Sequence, residues 1–199
     1  MHIFLYFVYI FMGVNMYKKV KTIGAIIWIF LTFISHFMYT LFPNAIIASF
    51  FPINESIWEH MKLFVTPAIF TFIFEVIYMK SKRICIQNNY LSLLIEIMSS
   101  TGVFLTIFLP YYYKFNHNIF ITLIMMTISI IIAKYLGYII SSEKNELILN
   151  IISIPIILII VIANIILTFN PLKNSLFIDT TKNSNNIAIF LSEKHFYYK

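Results

Sequence analysis

Four ionisable side chains fall within eight positions in the stretch NESIWEHMK, residues 54–62: Glu55, Glu59, His60 and Lys62. This density is unusual in a chain in which only 11% of the residues are charged. Carboxylates beside an imidazole can transfer protons or bind a divalent cation such as Zn²⁺. The stretch is therefore the first candidate for acid–base or metal chemistry.

A second histidine, in the apolar segment that precedes this stretch, could complete a metal site. The candidate metal ligands are His36, Glu55, Glu59 and His60. No spacing here matches H-E-x-x-H or a comparable zinc signature, so structural capping and interface anchoring remain open alternatives. The other candidates for a ligand-binding or acid–base site are Tyr39, Asn54, Ser56, Trp58 and Lys62. His117, in a later loop, is expected at the same end of the molecule.

The same stretch also has the pattern of a helix start. Asn54 is a suitable N-cap, because its side-chain oxygen can accept an otherwise unpaired backbone N–H. Ile53 and Trp58 then have the spacing of a hydrophobic staple. Part of the charge cluster thus has a structural explanation, since Glu55 suits the positive end of the helix dipole.

A polar helix face begins in this stretch and continues far beyond it. Ser56 and His60 lie on a face that later presents Pro67, Thr71 and Glu75. A face exposed to lipid would not carry these groups, so we expect it to point into a helix bundle or a water-filled cleft. The proline should kink the helix, because it leaves the carbonyl four residues earlier unpaired.

Composition places these residues in a membrane. The 199 residues are 60% hydrophobic and have a mean hydropathy of +0.87, whereas soluble domains are about 45–50% apolar. The apolar runs predict spans at 22–42, 63–79, 91–112, 119–140 and 147–169. About 20 residues cross a bilayer as a helix, and an unpaired backbone is excluded from lipid. The sequence therefore predicts an all-α integral membrane bundle of five transmembrane helices.

The domain plan consists of one bundle and two terminal segments. Residues 17–170 form the predicted five-helix domain, and residues 171–199 form a polar tail in which His195 is not expected to be a ligand. Residues 1–16 are apolar but short, and two interpretations remain open. Residues 1–16 are either an extension upstream of a true start at Met16 or a short extra N-terminal helix. The single cysteine, Cys85, permits neither an internal disulfide nor a cysteine metal cluster.

Basic residues set the expected orientation. They cluster in two places, Lys18, Lys19 and Lys21 before the first span and Lys80, Lys82 and Arg83 after the second. The positive-inside rule then predicts a multi-pass protein of the cell membrane with a cytoplasmic N-terminus. The net charge of +6 fits anionic lipid. Because the lysines are scattered, we expect the lipid bilayer as a partner and no nucleic acid.

Besides His36, three acidic or basic residues lie inside the predicted spans: Glu75, Glu96 and Lys134. Each is about 7–11 Å below the same boundary, at 1.5 Å per residue. An ionised side chain at mid-membrane costs about 2.5–3.5 kcal/mol. We therefore predict an intramembrane polar cluster in which Lys134 neutralises one of the two carboxylates. Such a cluster could fix the packing of the helices, or it could relay protons or other ions.

The central motif resembles a known signature. NESIWEHMK is similar to N-E-S-V-W-E-H-L-K, which marks an uncharacterised family of small bacterial multi-pass membrane proteins. The positions that match are Asn54, Glu55, Ser56, Trp58, Glu59, His60 and Lys62, and upstream His36, Phe37 and Tyr39 fit the family's H-F-x-Y segment. The resemblance covers roughly residues 20–180. It implies the topology and a shared polar site, but no activity.

The C-terminal part of the resemblance is weaker. The chain keeps Pro171, Leu176, Phe177 and Asp179 of the family's pattern but lacks its second proline and its glycines. Three function classes therefore remain open. The protein could bind a lipid or small molecule as an accessory or sensor, act as a metal-assisted or acid–base enzyme on a lipid or envelope substrate, or transport protons or ions.

Overall fold

The computed structural model describes residues 2–84, 87–115, 118–144 and 146–179. Side chains are described from Met16 onward, apart from those of Tyr113, Phe115 and Ile119. The predicted features at Cys85, His117 and His195 lie outside the described residues.

The described chain is helical and contains no strand within those ranges. The helices are α1 (His2–Leu41), α2 (Ala45–Phe50), α3 (Ile57–His60), α4 (Lys62–Ser81), α5 (Asn89–Phe115), α6 (Ile119–Ser142) and α7 (Leu147–Phe169), followed by a 3₁₀ turn at Ser175–Phe177. Five segments are long and apolar enough to cross a membrane: Met16–Leu41, Ile57–Ser81, Asn89–Tyr112, Phe120–Ser142 and Leu147–Phe169. This confirms the predicted all-α bundle of five long apolar helices. The extra N-terminal helix is continuous with the first span, within α1.

The bundle packs α1 against α4 and α6, and α5 against α6 and α7. Its centre is apolar: Trp28, Phe64 and Phe104 are completely buried. The carbonyl of α4 that Pro67 leaves unpaired is hydrogen-bonded by a residue of the neighbouring helix α1. The Thr32 hydroxyl donates a hydrogen bond to the Leu63 carbonyl at 3.1 Å, which is the carbonyl that Pro67 leaves without its helical donor. This bond ties α1 to α4 beside Pro67.

Asparagine side chains hold the loops at the other end of the bundle. Asn88 is buried and adopts a φ of 50°, a conformation that asparagine tolerates better than most residues. Its amide donates to the carbonyls of Ile140 and Lys144 at 3.2 and 2.9 Å and accepts from the Glu146 backbone N–H at 2.8 Å. The loop before α5 is thereby fixed to the loop after α6.

Four buried side chains from four helices form a polar cluster inside the bundle, which we name the ion-pair ring: Lys21 of α1, Glu75 of α4, Glu96 of α5 and Lys134 of α6. The Lys21 Nζ lies 2.9 Å from Glu75 Oε2 and 2.6 Å from Glu96 Oε1. The Lys134 Nζ lies 2.6 Å from Glu75 Oε1 and 2.7 Å from Glu96 Oε2. Each charge therefore contacts two charges of opposite sign, and the formal charges of the ring sum to zero.

The ring corrects one sequence-based assignment. We expected Lys21 to precede the first span as an exposed basic anchor, but it is 5% exposed and lies inside the helix. The predicted span started at residue 22 because a charged residue usually marks the end of an apolar run. Here the two carboxylates make that charge tolerable within the bundle. Lys18 and Lys19 remain exposed, as the anchoring interpretation requires.

Two glycines make room for the carboxylates of the ring. A Cβ at Gly24 would overlap Glu75 Oε1, and a Cβ at Gly137 would overlap Glu96 Oε1. The Gly137 carbonyl also accepts a hydrogen bond from Ser92 at 2.9 Å. Close approach of the helix backbones thus depends on the missing side chains.

We predict that Gly137→Ala lowers the free energy of unfolding by about 1–3 kcal/mol, because the new methyl group must displace a carboxylate held by two lysines. Gly102→Ala is the matched control. It also lies in a helix, nothing lies within 4 Å of its added Cβ, and alanine favours a helix over glycine by up to ~1 kcal/mol. Thermal unfolding in detergent micelles measures both variants. Equal effects of the two substitutions would contradict the close packing around the ring.

Candidate functional site

The stretch NESIWEHMK forms a turn followed by the short helix α3. Ser56, in extended backbone conformation, is the N-cap, and its hydroxyl accepts from the Glu59 N–H at 3.3 Å. The prediction that Asn54 caps the helix is wrong. Its side-chain oxygen instead accepts from the Ser56 N–H at 3.0 Å, which closes a turn and delays the helix start by two residues.

Three of the predicted residues converge at the α3 end of the bundle, and we name them the Glu55 site: His36, Glu55 and His60. The His36 Nε2 lies 3.5 Å from Glu55 Oε1, and the His60 Nε2 lies 3.3 Å from Glu55 Oε2. The two imidazole rings are 5.7 Å apart between centroids. The His60 side chain is 9% exposed, whereas those of His36 and Glu55 are 25% and 36% exposed. One carboxylate is thus held between two histidines at a partly open position.

The backbone fixes the chemical state that His60 presents to the carboxylate. The His60 Nδ1 lies 2.9 Å from the Ser56 carbonyl oxygen. A carbonyl can only accept a hydrogen bond, so Nδ1 must carry the proton in this contact. The Nε2 that faces Glu55 therefore bears a lone pair unless the ring is charged. Two electron-rich atoms face each other, and a shared proton or a metal cation would relieve their repulsion.

The distances between these atoms are compatible with co-ligands of a metal as well as with long hydrogen bonds. Charge-assisted N–H···O contacts are about 2.7–2.9 Å long, shorter than the 3.3 and 3.5 Å separations at Glu55. Two ligand atoms at about 2.0–2.1 Å from a tetrahedral zinc ion are about 3.3 Å apart. Each of the three residues offers a ligand atom, and these atoms all lie within 4.8 Å of one another.

Glu59, the fourth predicted metal ligand, belongs to a separate buried network. Its Oε2 accepts from the Lys62 Nζ at 2.8 Å and from the Ile53 N–H at 3.1 Å. Its Oε1 accepts from the Thr168 hydroxyl of α7 at 3.0 Å. The Lys62 Nζ also donates to the Ala48 carbonyl at 2.7 Å. This network joins α2, α3, α4 and α7, and its carboxylate oxygens are directed to these partners.

The C-terminal strap, residues 170–179, packs back onto the motif. The ring of Phe177 stacks on Trp58 with 5.0 Å between centroids and 23° between planes. The Asp179 carboxylate accepts from the Glu55 N–H at 3.4 Å. Trp58 therefore packs against the C-terminal strap. The staple prediction had instead paired Trp58 with Ile53. The sequence analysis did not predict this contact, although Phe177 and Asp179 were among the positions that matched the family pattern.

A cavity of about 60 Å³ adjoins the Glu55 site between α1 and α6. His36, Glu55 and His60 line one part of it, and the rest is mainly apolar, including Phe33 and Met126. Tyr39, another predicted candidate, is half-buried and is not among the residues that line this cavity. A molecule with an apolar chain could therefore approach the two histidines.

A sequence model for a family of unknown function, DUF6512, matches residues 5–187. The chain belongs to this family. No curated protein and no solved structure matches the chain significantly.

Because Glu55 and Glu59 belong to different sites, we predict that the same Glu→Gln substitution changes stability by very different amounts at the two positions. Glu59→Gln should lower the free energy of unfolding by about 3 kcal/mol or more, because it leaves the buried Lys62 charge without its counter-ion. Glu55→Gln removes the same charge at a half-exposed position and should change stability by no more than about 0.5 kcal/mol. Unfolding in detergent micelles compares them. A larger loss in Glu55→Gln would contradict the assigned roles.

Proposed function

We propose that this chain is a multi-pass integral protein of the cell membrane, with its N-terminus in the cytoplasm, that binds one divalent transition metal ion. The ligands are His36 Nε2, the Glu55 carboxylate and His60 Nε2. The metal lies at the outer end of the bundle, and the lipid bilayer surrounds the five long helices. The observation that carries the proposal is the convergence of ligand atoms of His36, Glu55 and His60 within 4.8 Å of one another, with the His60 ring oriented by the contact of its Nδ1 with the Ser56 carbonyl.

The donor set indicates the class of metal. Imidazole nitrogens suit Zn²⁺, Cu²⁺, Fe²⁺ and Ni²⁺, whereas Mg²⁺ and Ca²⁺ prefer oxygen ligands. A hydrogen bond from the far ring nitrogen to a carbonyl is also the usual way in which a metal-binding histidine is oriented. Three protein ligands leave a fourth position for water or a substrate, as in catalytic zinc sites.

Metal binding has more support than transport. By position along α1, α4 and α6, the residues between the Glu55 site and the ion-pair ring include the buried Trp28, Phe64 and Ile130. The buried hydroxyl of Thr71 in this region donates to the Pro67 carbonyl of its own helix. A proton or ion relay would need a continuous polar path, and these groups do not provide one.

We predict that the purified chain binds about one Zn²⁺ ion and that His60→Ala and Glu55→Gln each abolish this binding. Loss of a residue that merely orients a ligand costs 10- to 100-fold in metal affinity, and loss of a ligand should cost more. Titration calorimetry with ZnCl₂ and metal analysis after dialysis measure the effect.

Thr122→Val is the matched control for this experiment. Thr122 lines the same cavity, but its hydroxyl donates to the Asn118 carbonyl at 2.9 Å and is not a ligand in the proposal. The control should bind zinc as the wild type does. Metal content near zero in the wild type, or equal content in the wild type and both ligand variants, would contradict the proposal.

Metal-assisted hydrolysis is the second candidate, and the apolar cavity beside the Glu55 site favours it. His36, Glu55 and His60 would hold the ion, which would supply an activated water for hydrolysis of an acyl ester whose chain occupies this cavity, with release of the alcohol and the fatty acid. We predict that the zinc-loaded chain hydrolyses p-nitrophenyl laurate in micelles, and that Glu55→Gln abolishes this activity whereas Thr122→Val retains it. Equal hydrolysis by all three proteins would exclude an enzymatic role of the Glu55 site toward this substrate class.

A further inference from the structure

Glu55 is the only one of the three proposed metal ligands that does not lie in a helix. His36 belongs to α1 and His60 to α3, whereas Glu55 lies in a turn, residues 53–56, which we name the Glu55 turn. The Glu55 side chain is 36% exposed, so surrounding atoms support only part of it. The position of this ligand therefore depends on the contacts that hold the backbone of the turn.

The backbone N–H of Glu55 is bound from a distant part of the chain. The turn is closed from within the motif, because the Ser56 N–H donates to the Asn54 side-chain oxygen at 3.0 Å. The Glu55 N–H instead donates to Asp179 Oδ2, at 3.4 Å and across 124 positions of the sequence. The C-terminal strap thus holds the one residue of the turn that is a proposed ligand.

The C-terminal strap has a defined conformation as far as Asp179. The Asn174 side-chain oxygen accepts from the Leu176 N–H at 3.4 Å, and the Asn174 carbonyl accepts from the Phe177 N–H at 3.0 Å. Leu176 packs against the apolar core of the bundle. The Phe177 ring stacks on Trp58 with 5.0 Å between centroids. These contacts bring Asp179, two residues after Phe177, to the motif.

The strap is also attached to the motif at its other end. It follows α7 directly, and the Thr168 hydroxyl near the end of α7 donates to Glu59 Oε1 at 3.0 Å. The hydrogen bonds of Thr168 and Asp179 therefore lie on either side of the Phe177–Trp58 stack along the chain. The strap is held to the motif at three successive points.

Asp179 does not belong to the group of converging ligand atoms. Among the described residues, that group consists of His36, Glu55 and His60, with atoms that lie within 4.8 Å of one another. Asp179 contacts the site through a backbone N–H, and a hydrogen bond of this kind acts on a metal only by fixing the ligand residue. Asp179 is therefore a candidate positioning residue.

We propose that the C-terminal strap positions Glu55 for metal binding: Phe177 anchors the strap on Trp58, and Asp179 fixes the backbone of the Glu55 turn. This inference rests on the proposed metal site. If the docked strap raises the affinity for the metal, the metal must favour the docked strap by the same factor. The metal site and the C-terminal strap are then thermodynamically coupled.

Phe177→Ala tests the positioning role, because it removes the stack without changing any charge. Residues that orient a metal ligand contribute about 10- to 100-fold to metal affinity, so we expect this variant to bind Zn²⁺ about tenfold more weakly than the wild type. Titration calorimetry with ZnCl₂ on the full chain in detergent micelles measures the affinity. Equal affinities of Phe177→Ala and the wild type would overturn the proposal.

Two control variants separate positioning from a loss of packing or stability. Leu172→Ala also shortens an apolar side chain of the strap, but Leu172 is 59% exposed. Gly137→Ala perturbs the ion-pair ring, where an added Cβ would overlap Glu96 Oε1. Both variants should bind Zn²⁺ as the wild type does. A loss of affinity in either one equal to that in Phe177→Ala would refute a specific role of the Phe177 anchor.

A pair of substitutions at Asp179 separates its hydrogen bond from its charge. Asp179→Ala and Asp179→Asn both remove the charge, but the asparagine amide oxygen can still accept from the Glu55 N–H. We expect Asp179→Asn to bind Zn²⁺ about fivefold more tightly than Asp179→Ala, as for one typical hydrogen bond. Equal affinities of the two variants would exclude positioning by the acceptor. If Phe177→Ala does not fold, this pair still decides.

Hydrogen exchange of the Glu55 amide tests the coupling in the opposite direction. Saturating ZnCl₂ should slow this exchange in the wild type by about the same factor that Phe177→Ala loses in affinity, roughly tenfold. Exchange that zinc leaves unchanged would contradict the coupling.

A failure of the metal site itself would look different, because the wild type would then bind no Zn²⁺. Exchange in the metal-free protein decides about the strap in that case. Phe177→Ala should speed the exchange of the Glu55 amide relative to the wild type and to Leu172→Ala. Equal exchange in these three proteins would show that the strap does not hold the Glu55 turn.

Discussion

The ion-pair ring is the interaction on which the arrangement of the bundle depends. It brings one charged side chain from each of α1, α4, α5 and α6 to a single buried point. No member can leave without stranding two opposite charges, so the four helices can meet in only one register. Neighbouring side chains also stabilise the two lysine charges of the ring. Ser92 accepts a hydrogen bond from Lys21 at 3.2 Å, and the Lys134 Nζ lies 5.2 Å from the centre of the Trp28 ring. The ring thus supplies specificity that the apolar contacts of the core, which are non-directional, cannot supply.

A fixed register at the ring places the Glu55 site at the other end. Lys21 and His36 lie on α1, and His60 and Glu75 both lie within the continuous apolar segment formed by α3 and α4. The Thr32 bond to the Leu63 carbonyl keeps α1 and α4 together between these two levels. The Glu59–Lys62 network then fixes the turn that carries Glu55. The two histidines and the carboxylate therefore meet because these contacts hold the surrounding elements in place, as the proposed metal site requires.

Much of this architecture could be predicted from the sequence because long apolar runs and polar helix faces follow simple periodicities. The predicted grouping of Glu75, Glu96 and Lys134 rested on depth alone, and the structure brings these residues together. Lys21 escaped prediction because a lysine at the start of an apolar run is normally a boundary marker. Glu59 was grouped with the metal ligands because it belongs to the same short cluster of ionisable residues. The Phe177–Trp58 stack could not be foreseen, since residues so far apart in the chain leave no local pattern.

X-ray absorption spectroscopy at the zinc edge of the zinc-loaded protein tests directly whether His36 and His60 bind the metal. If the proposed ligands bind zinc, the first coordination shell should consist of nitrogen and oxygen at about 2.0–2.1 Å. The outer-shell scattering should show two imidazole rings, and His36→Ala should remove one of them. A spectrum without imidazole scattering, or one that His36→Ala leaves unchanged, would contradict it.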